Sequence, residues 1–126
     1  MFKSDRNFRL WDFRVSHNQL LIRSPSTREI STNVDLVFWG VEFMSIPTAL
    51  NGLEITRTES KNDDGLNFKP PSNGSMFLIE TASTKNVVVA AGCKVLKNTL
   101  DIFDSSLEGF AATDQNRDLG EVLARF

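Results

Sequence analysis

Residues 8 to 24 read as two half-buried strands joined by a polar turn, and this unit limits the fold more than any other. Trp11, Phe13 and Val15 alternate with Asp12 and Arg14. That is the period of two expected where one side of a strand is dry and the other wet. Residues 16–19 are polar, and Leu20, Leu21 and Ile22 then resume the apolar run before Arg23. Pairing Val15 with Leu20 sets Phe13 opposite Ile22 and Trp11 opposite Ser24 on one face. It sets Asp12 opposite Arg23 on the other. Matched pairs of this kind each contribute from a few tenths to about 1 kcal/mol. A slip of one residue would mix the faces. The expectation is an antiparallel hairpin with both large rings hidden.

Further strands follow. From Val34 to Met44, apolar residues fall on both parities (Leu36, Val37, Phe38, Trp39, Val41, Phe43). A strand like that is covered on both faces and belongs at the centre of a sheet. Gly40 inside it marks a bulge or a close backbone approach. Asn51-Gly52, flanked by Leu50 and Leu53, predicts a two-residue hairpin turn with a strand from Leu53 to Thr58. Met76 to Thr81 and Asn86 to Ala91 predict a second hairpin, ended by Gly92. Cys93 to Phe103 reads as two short strands turning near Lys97-Asn98. At the C-terminus, Ser105 and Glu108 have capping-box spacing. Leu119, Val122, Leu123 and Phe126 recur at helical spacing. Short helical turns are expected there, because Gly109 and Gly120 each cost about 1 kcal/mol in a helix.

The fold expected is mainly β: an antiparallel meander of six to eight strands, forming a sandwich or partly open barrel with short C-terminal helical turns. The alternative is α+β, with a C-terminal helix packed on one sheet. The 126 residues fit one domain, 1–126. A polar stretch at about 59–75, with Pro70-Pro71 and Asn73-Gly74, reads as a long mobile loop. Within it Asp63, Asp64, Phe68 and Lys69 are the candidate partner-binding residues, Phe68 being an apolar ring in an otherwise polar segment.

Net charge is −2, so bulk electrostatics gives no case for a nucleic acid or a membrane surface as partner. The charge is uneven. Residues 1–30 carry Lys3, Arg6, Arg9, Arg14, Arg23 and Arg28 against Asp5, Asp12 and Glu29, a local +3. Residues 101–126 carry Arg117 and Arg125 against Asp101, Asp104, Glu108, Asp114, Asp118 and Glu121, a local −4. Either the two ends attract each other, or the chain has two surfaces of opposite sign, one of which meets a partner.

His17 is the only histidine and so the natural general base, but no spacing rule brings it a nucleophile or an acid. One histidine and one cysteine do not make a zinc site. Asp63-Asp64-Gly65 lacks the alternating acids of a calcium loop. The seven glycines form no phosphate-cradling pattern. No cofactor or metal is expected. Cys93 follows Gly92 in an apolar stretch, where a thiol is usually buried and inert. With one cysteine and no apolar run behind Lys3, Arg6 and Arg9, the expected setting is the cytoplasm of a bacterial cell. The function expected is a non-enzymatic protein-interaction module, such as an immunity-type or adaptor protein, with homo-oligomerisation open. A small-ligand-binding barrel or sandwich is the alternative, and an enzyme using His17 the third reading.

Overall fold

The computed structural model describes residues 1–58, 74–107 and 120–126. Those residues form one antiparallel sheet of nine strands in the order β4-β7-β6-β5-β1-β2-β3-β8-β9. The strands are β1 Phe2–Arg14, β2 Gln19–Ser24, β3 Asn33–Trp39, β4 Phe43–Ser45, β5 Ala49–Thr58, β6 Ser75–Glu80, β7 Lys85–Ala90, β8 Gly92–Asn98 and β9 Glu121–Arg125. The order contains two meanders, β1-β2-β3 and β5-β6-β7. The 13-residue β1 joins them, pairing β5 along its first part and β2 along its second.

The sheet does not close, yet it curls on itself. One continuous cluster takes Phe8 from β1, Leu20 and Ile22 from β2, Leu36 and Phe38 from β3, Ile55 from β5, Phe77 from β6, Val88 from β7 and Val95 from β8. Phe77 meets Phe38 edge-on at 5.6 Å and Phe126 at 6.0 Å, so strands far apart in the sheet order share one interior. The Ala91 N–H donates to Trp39 O and the Glu42 N–H to Val89 O, stitching the β7–β8 corner to the end of β3. This is a mainly β, partly open barrel or sandwich.

Several local expectations change. The opening hairpin forms, but Phe13 faces Leu20 rather than Ile22, Leu10 faces Ile22, and the register shifts between Leu10 and Asp12, at Trp11. Trp11 therefore leaves the Phe13 side. It packs, half-buried, against Leu21, Val37, Leu96 and Leu107 on the opposite face. Phe13 is not hidden; it is 40% exposed. β3 is covered on both faces as expected, but it ends at Trp39. Asn51-Gly52 makes a bulge, not a turn. β5 runs straight through it, and the single Gly52 at φ +72° stands opposite Asp5 and Arg6, between the Ser4↔Leu53 and Asn7↔Asn51 pairs. A residue with positive φ serves a bulge as well as a turn. The β6–β7 hairpin forms as expected, closed by Glu80↔Lys85. β8 is one strand to Asn98, not two. Val122 and Leu123 lie on β9, not on a helix, with a register shift against β8 between Val95 and Leu96; Phe126 follows the strand, and Leu119 lies outside the described residues.

Gly40 fits the expected close approach. Its φ is +62°, and a Cβ there would lie 2.9 Å from the Ala91 Cβ. Gly40→Ala is expected to lower unfolding stability by about 1–2 kcal/mol, from the left-handed backbone alone. A urea titration with an unchanged midpoint would contradict that.

Candidate functional site

β2 and β3 are buried on both sides, and each carries a charge into that interior. Arg23 and Asp35 stand directly opposite in the β2–β3 ladder, and both side chains are 0% exposed. Arg23 Nε donates to Asp35 Oδ1 at 2.7 Å and Nη2 to Asp35 Oδ2 at 3.0 Å, a two-pronged ion pair. Buried charges are tolerated only when paired and fully hydrogen-bonded. The rest of the network supplies those bonds. Asn98 Nδ2 donates to Asp35 Oδ2 at 2.9 Å, and Asn33 Nδ2 donates to Asn98 Oδ1 at 2.9 Å and to Leu100 O at 2.8 Å. Arg23 Nη1 donates to Asp104 O at 2.7 Å. The Trp11 ring lies under the guanidinium, 5.4 Å from its centroid.

Asp12 does not pair Arg23, contrary to the sequence expectation. The register shift at Trp11 moves it opposite Leu21, and it accepts instead from Arg14 Nε at 3.0 Å and Ser105 Oγ at 2.8 Å.

These bonds hold down the chain that follows β8. Residues 98–107 cross the outer face of β2, β3 and β8, fixed at Leu100, Asp104, Ser105 and the buried Leu107. Between the fixed points is a tight turn. The Asp104 N–H donates to Asp101 O at 2.9 Å, and the Phe103 N–H to Asp101 Oδ1 at 2.9 Å. Its tip is apolar and open to water: Ile102 is 57% exposed and Phe103 92%. Sequence reasoning missed this turn, having placed Phe103 at the end of a strand.

A second feature lies where loop 25–32 meets β1. Arg6 Nη2 donates to Ser24 O, Pro25 O and Thr32 O, at 3.2, 3.4 and 2.7 Å, and Nε donates to Ser24 Oγ at 3.0 Å. Burial pulls the Arg6 guanidinium below its ordinary value, and the Asp35 carboxylate partly offsets this. Beside it is an open depression of about 370 Å³, lined by Asp5, Arg6, Arg9, Pro25 and Ile30 among others. Another, of about 390 Å³, sits over the Gly52 bulge with mixed charge around it.

His17 lies on the exposed turn between β1 and β2, at φ +61°, with its C=O accepting from the Gly40 N–H at 3.2 Å. Among the described residues no hydrogen-bonded carboxylate orients its ring. Cys93 is fully buried, and burial pushes its thiol well above the ordinary range. Asp63, Asp64, Phe68 and Lys69 lie outside the described residues. Among the described residues no three His, Cys, Asp or Glu side chains are grouped to hold a metal ion, and no helix is long and apolar enough to cross a membrane. Compared with known proteins, the chain matches no family model, no curated protein and no solved structure.

Removing one member of the ion pair strands the other in the interior. Asp35→Ala is expected to cost about 3–5 kcal/mol in urea unfolding, and the double change Arg23→Met with Asp35→Leu much less. A single variant as stable as the starting protein would contradict this burial. Cys93, held protonated, is expected to resist alkylation in native buffer at mildly alkaline pH and to react fully in denaturant. Rapid native labelling would place the thiol at the surface.

Proposed function

We propose that this chain is a non-enzymatic protein-interaction module of the immunity or adaptor kind. It acts in the bacterial cytoplasm on a protein partner rather than a nucleic acid, and turn 101–104 is its contact. The supporting observation is Phe103, 92% exposed on a turn whose two flanks are bonded into the buried ion-pair network. Single exposed apolar residues are ordinary. This one is next to a second, Ile102, on a turn whose backbone is bonded at both ends. An aromatic side chain on an already fixed backbone has only its own rotamer freedom to lose on binding, which suits an anchor residue.

The small-ligand reading gains less. It needs a concave apolar interior. The space between the described halves of the sheet is filled by the Phe8, Phe38 and Phe77 cluster. The enzyme reading needs His17 to converge with an acid and a nucleophile.

The test is co-purification from the source cell with tagged chain, read by native mass spectrometry. Phe103→Ser is expected to lower recovery of a partner held by the unaltered chain about tenfold or more, with no change in urea midpoint. Equal recovery would remove the turn from the interface.

A further inference from the structure

We propose that the depression between β1 and loop 25–32 binds a short peptide with both ends free, two or three residues long. The site shares no residue with turn 101–104 and goes beyond the interaction reading rather than resting on it.

One wall of the site is already built. Arg6 ties Ser24, Pro25 and Thr32 together through their backbone carbonyls. The Ser26 N–H donates to Asn33 Oδ1 at 2.8 Å, and the Thr27 N–H donates to Ile30 O at 2.7 Å, closing a tight turn. The loop so fixed holds Pro25 and the 44% exposed Ile30 as an apolar side to the depression. A wall ordered in advance loses little freedom when a ligand arrives.

The facing wall is β1. Asp5, Asn7 and Arg9 all line the depression. They lie two residues apart, about 6.6 Å per step along a strand. In chain order they offer a carboxylate, an amide and a guanidinium. Among the described residues none of the three side chains has a hydrogen bond or an ion pair. An extended peptide carries the complementary groups in the same order: an ammonium, main-chain amides that donate and accept, and a carboxylate. Its residues advance by nearly the same length as those of the strand. Two or three of them reach from Asp5 to the long side chain of Arg9, whereas a single amino acid carries both charges on one carbon and is too short. The volume, about 370 Å³, lies near the lower end of the range for small-ligand pockets, about 300–1,000 Å³.

The neighbouring charges single out these two ends. Asp5 also borders the depression over Gly52. There Lys3, Glu54, Glu80 and Lys85 stand in a row across β1, β5, β6 and β7, two bases against two acids, and leave Asp5 over. At the other end Arg9 stands opposite Arg23, which is engaged by Asp35, and opposite Ala49 on β5. A lone anion would meet Asp5, and a lone cation would meet Arg6 and Arg9. A ligand with a charge of each sign at its two ends suits both.

Titration of the isotope-labelled full chain with alanyl-leucyl-alanine, followed at the backbone amides by nuclear magnetic resonance, tests this. Shifts are expected at residues 5–9 and 24–30, with Kd on the order of 1 mM. Acetylating the amino end or amidating the carboxyl end of the peptide is expected to weaken binding about fivefold each. Asp5→Asn is expected to bind the free and the acetylated peptide equally, and Arg9→Gln the free and the amidated peptide equally. Loss of structure in either variant would not give that pairing. The proposal is overturned by any of four results: no shifts at about 20 mM peptide, shifts confined to other segments, blocked peptides that bind as tightly as the free one, or free leucine or inorganic phosphate binding as tightly as the tripeptide. None of these bears on the Phe103 turn.

Discussion

The Arg23–Asp35 pair is the interaction on which the arrangement of this molecule depends. Each charge sits on a strand covered on both faces, where an unpaired ion would cost several kcal/mol. The pair is therefore a demand on the rest of the chain. Asn98 must come from β8 to fill the second acceptor site of Asp35, Asn33 must hold Asn98, and a backbone carbonyl must arrive for the remaining guanidinium nitrogen. That carbonyl belongs to Asp104. The network thus fixes β2, β3 and β8 in register and ties down a crossing segment that has no regular structure of its own. A hydrophobic pair of the same volume would hold the strands equally well, but it would not dictate where the Asp104 carbonyl sits.

How much of this could be read from the sequence depends on how local each signal is. The β6–β7 hairpin was legible because the β-branched run at 87–89 and the polar turn before it agree. β3 was legible as a strand with two covered faces. The opening hairpin was legible as a hairpin but not in register. Pairing Asp12 with Arg23 satisfied both charges locally, and nothing local announced the extra residue at Trp11. The partner of Arg23 came from the next strand instead. One clue was present: Asp35 sits between Val34 and Leu36 in a run read as covered on both sides, and an acid there must have a base. Asn51-Gly52 carried a true signal, positive φ, with two structural uses. The C-terminal residues looked helical because the β8–β9 register shift breaks their alternation near Leu123. Of the candidate site, the four residues chosen from the polar loop lie outside the described part. The Phe103 turn was hidden because its position is set by anchors 67 to 93 positions away in sequence.

Scaffold and contact then have a simple relation. The curled sheet buries a continuous apolar interior on its inner side. The outer side of β2, β3 and β8, which would otherwise present Leu21, Val37 and Leu96 to water, is roofed by Trp11 and Leu107. The turn is the place where that roof is pinned by polar bonds rather than by packing, so its tip is free to be apolar. Rigidity at the base and exposure at the tip have one cause.

Proton exchange at the Arg23 side chain, followed by nuclear magnetic resonance, tests that cause most directly. Arg23 Nε donates to Asp35 from a fully buried position, whereas Arg28 lies exposed in the loop after β2. Exchange of the Arg23 Nε–H as slow as that of the core amides of β2 and β3 is the outcome this account requires. A signal exchanging as fast as that of Arg28 would mean that the guanidinium meets water, and that the turn is held by something else.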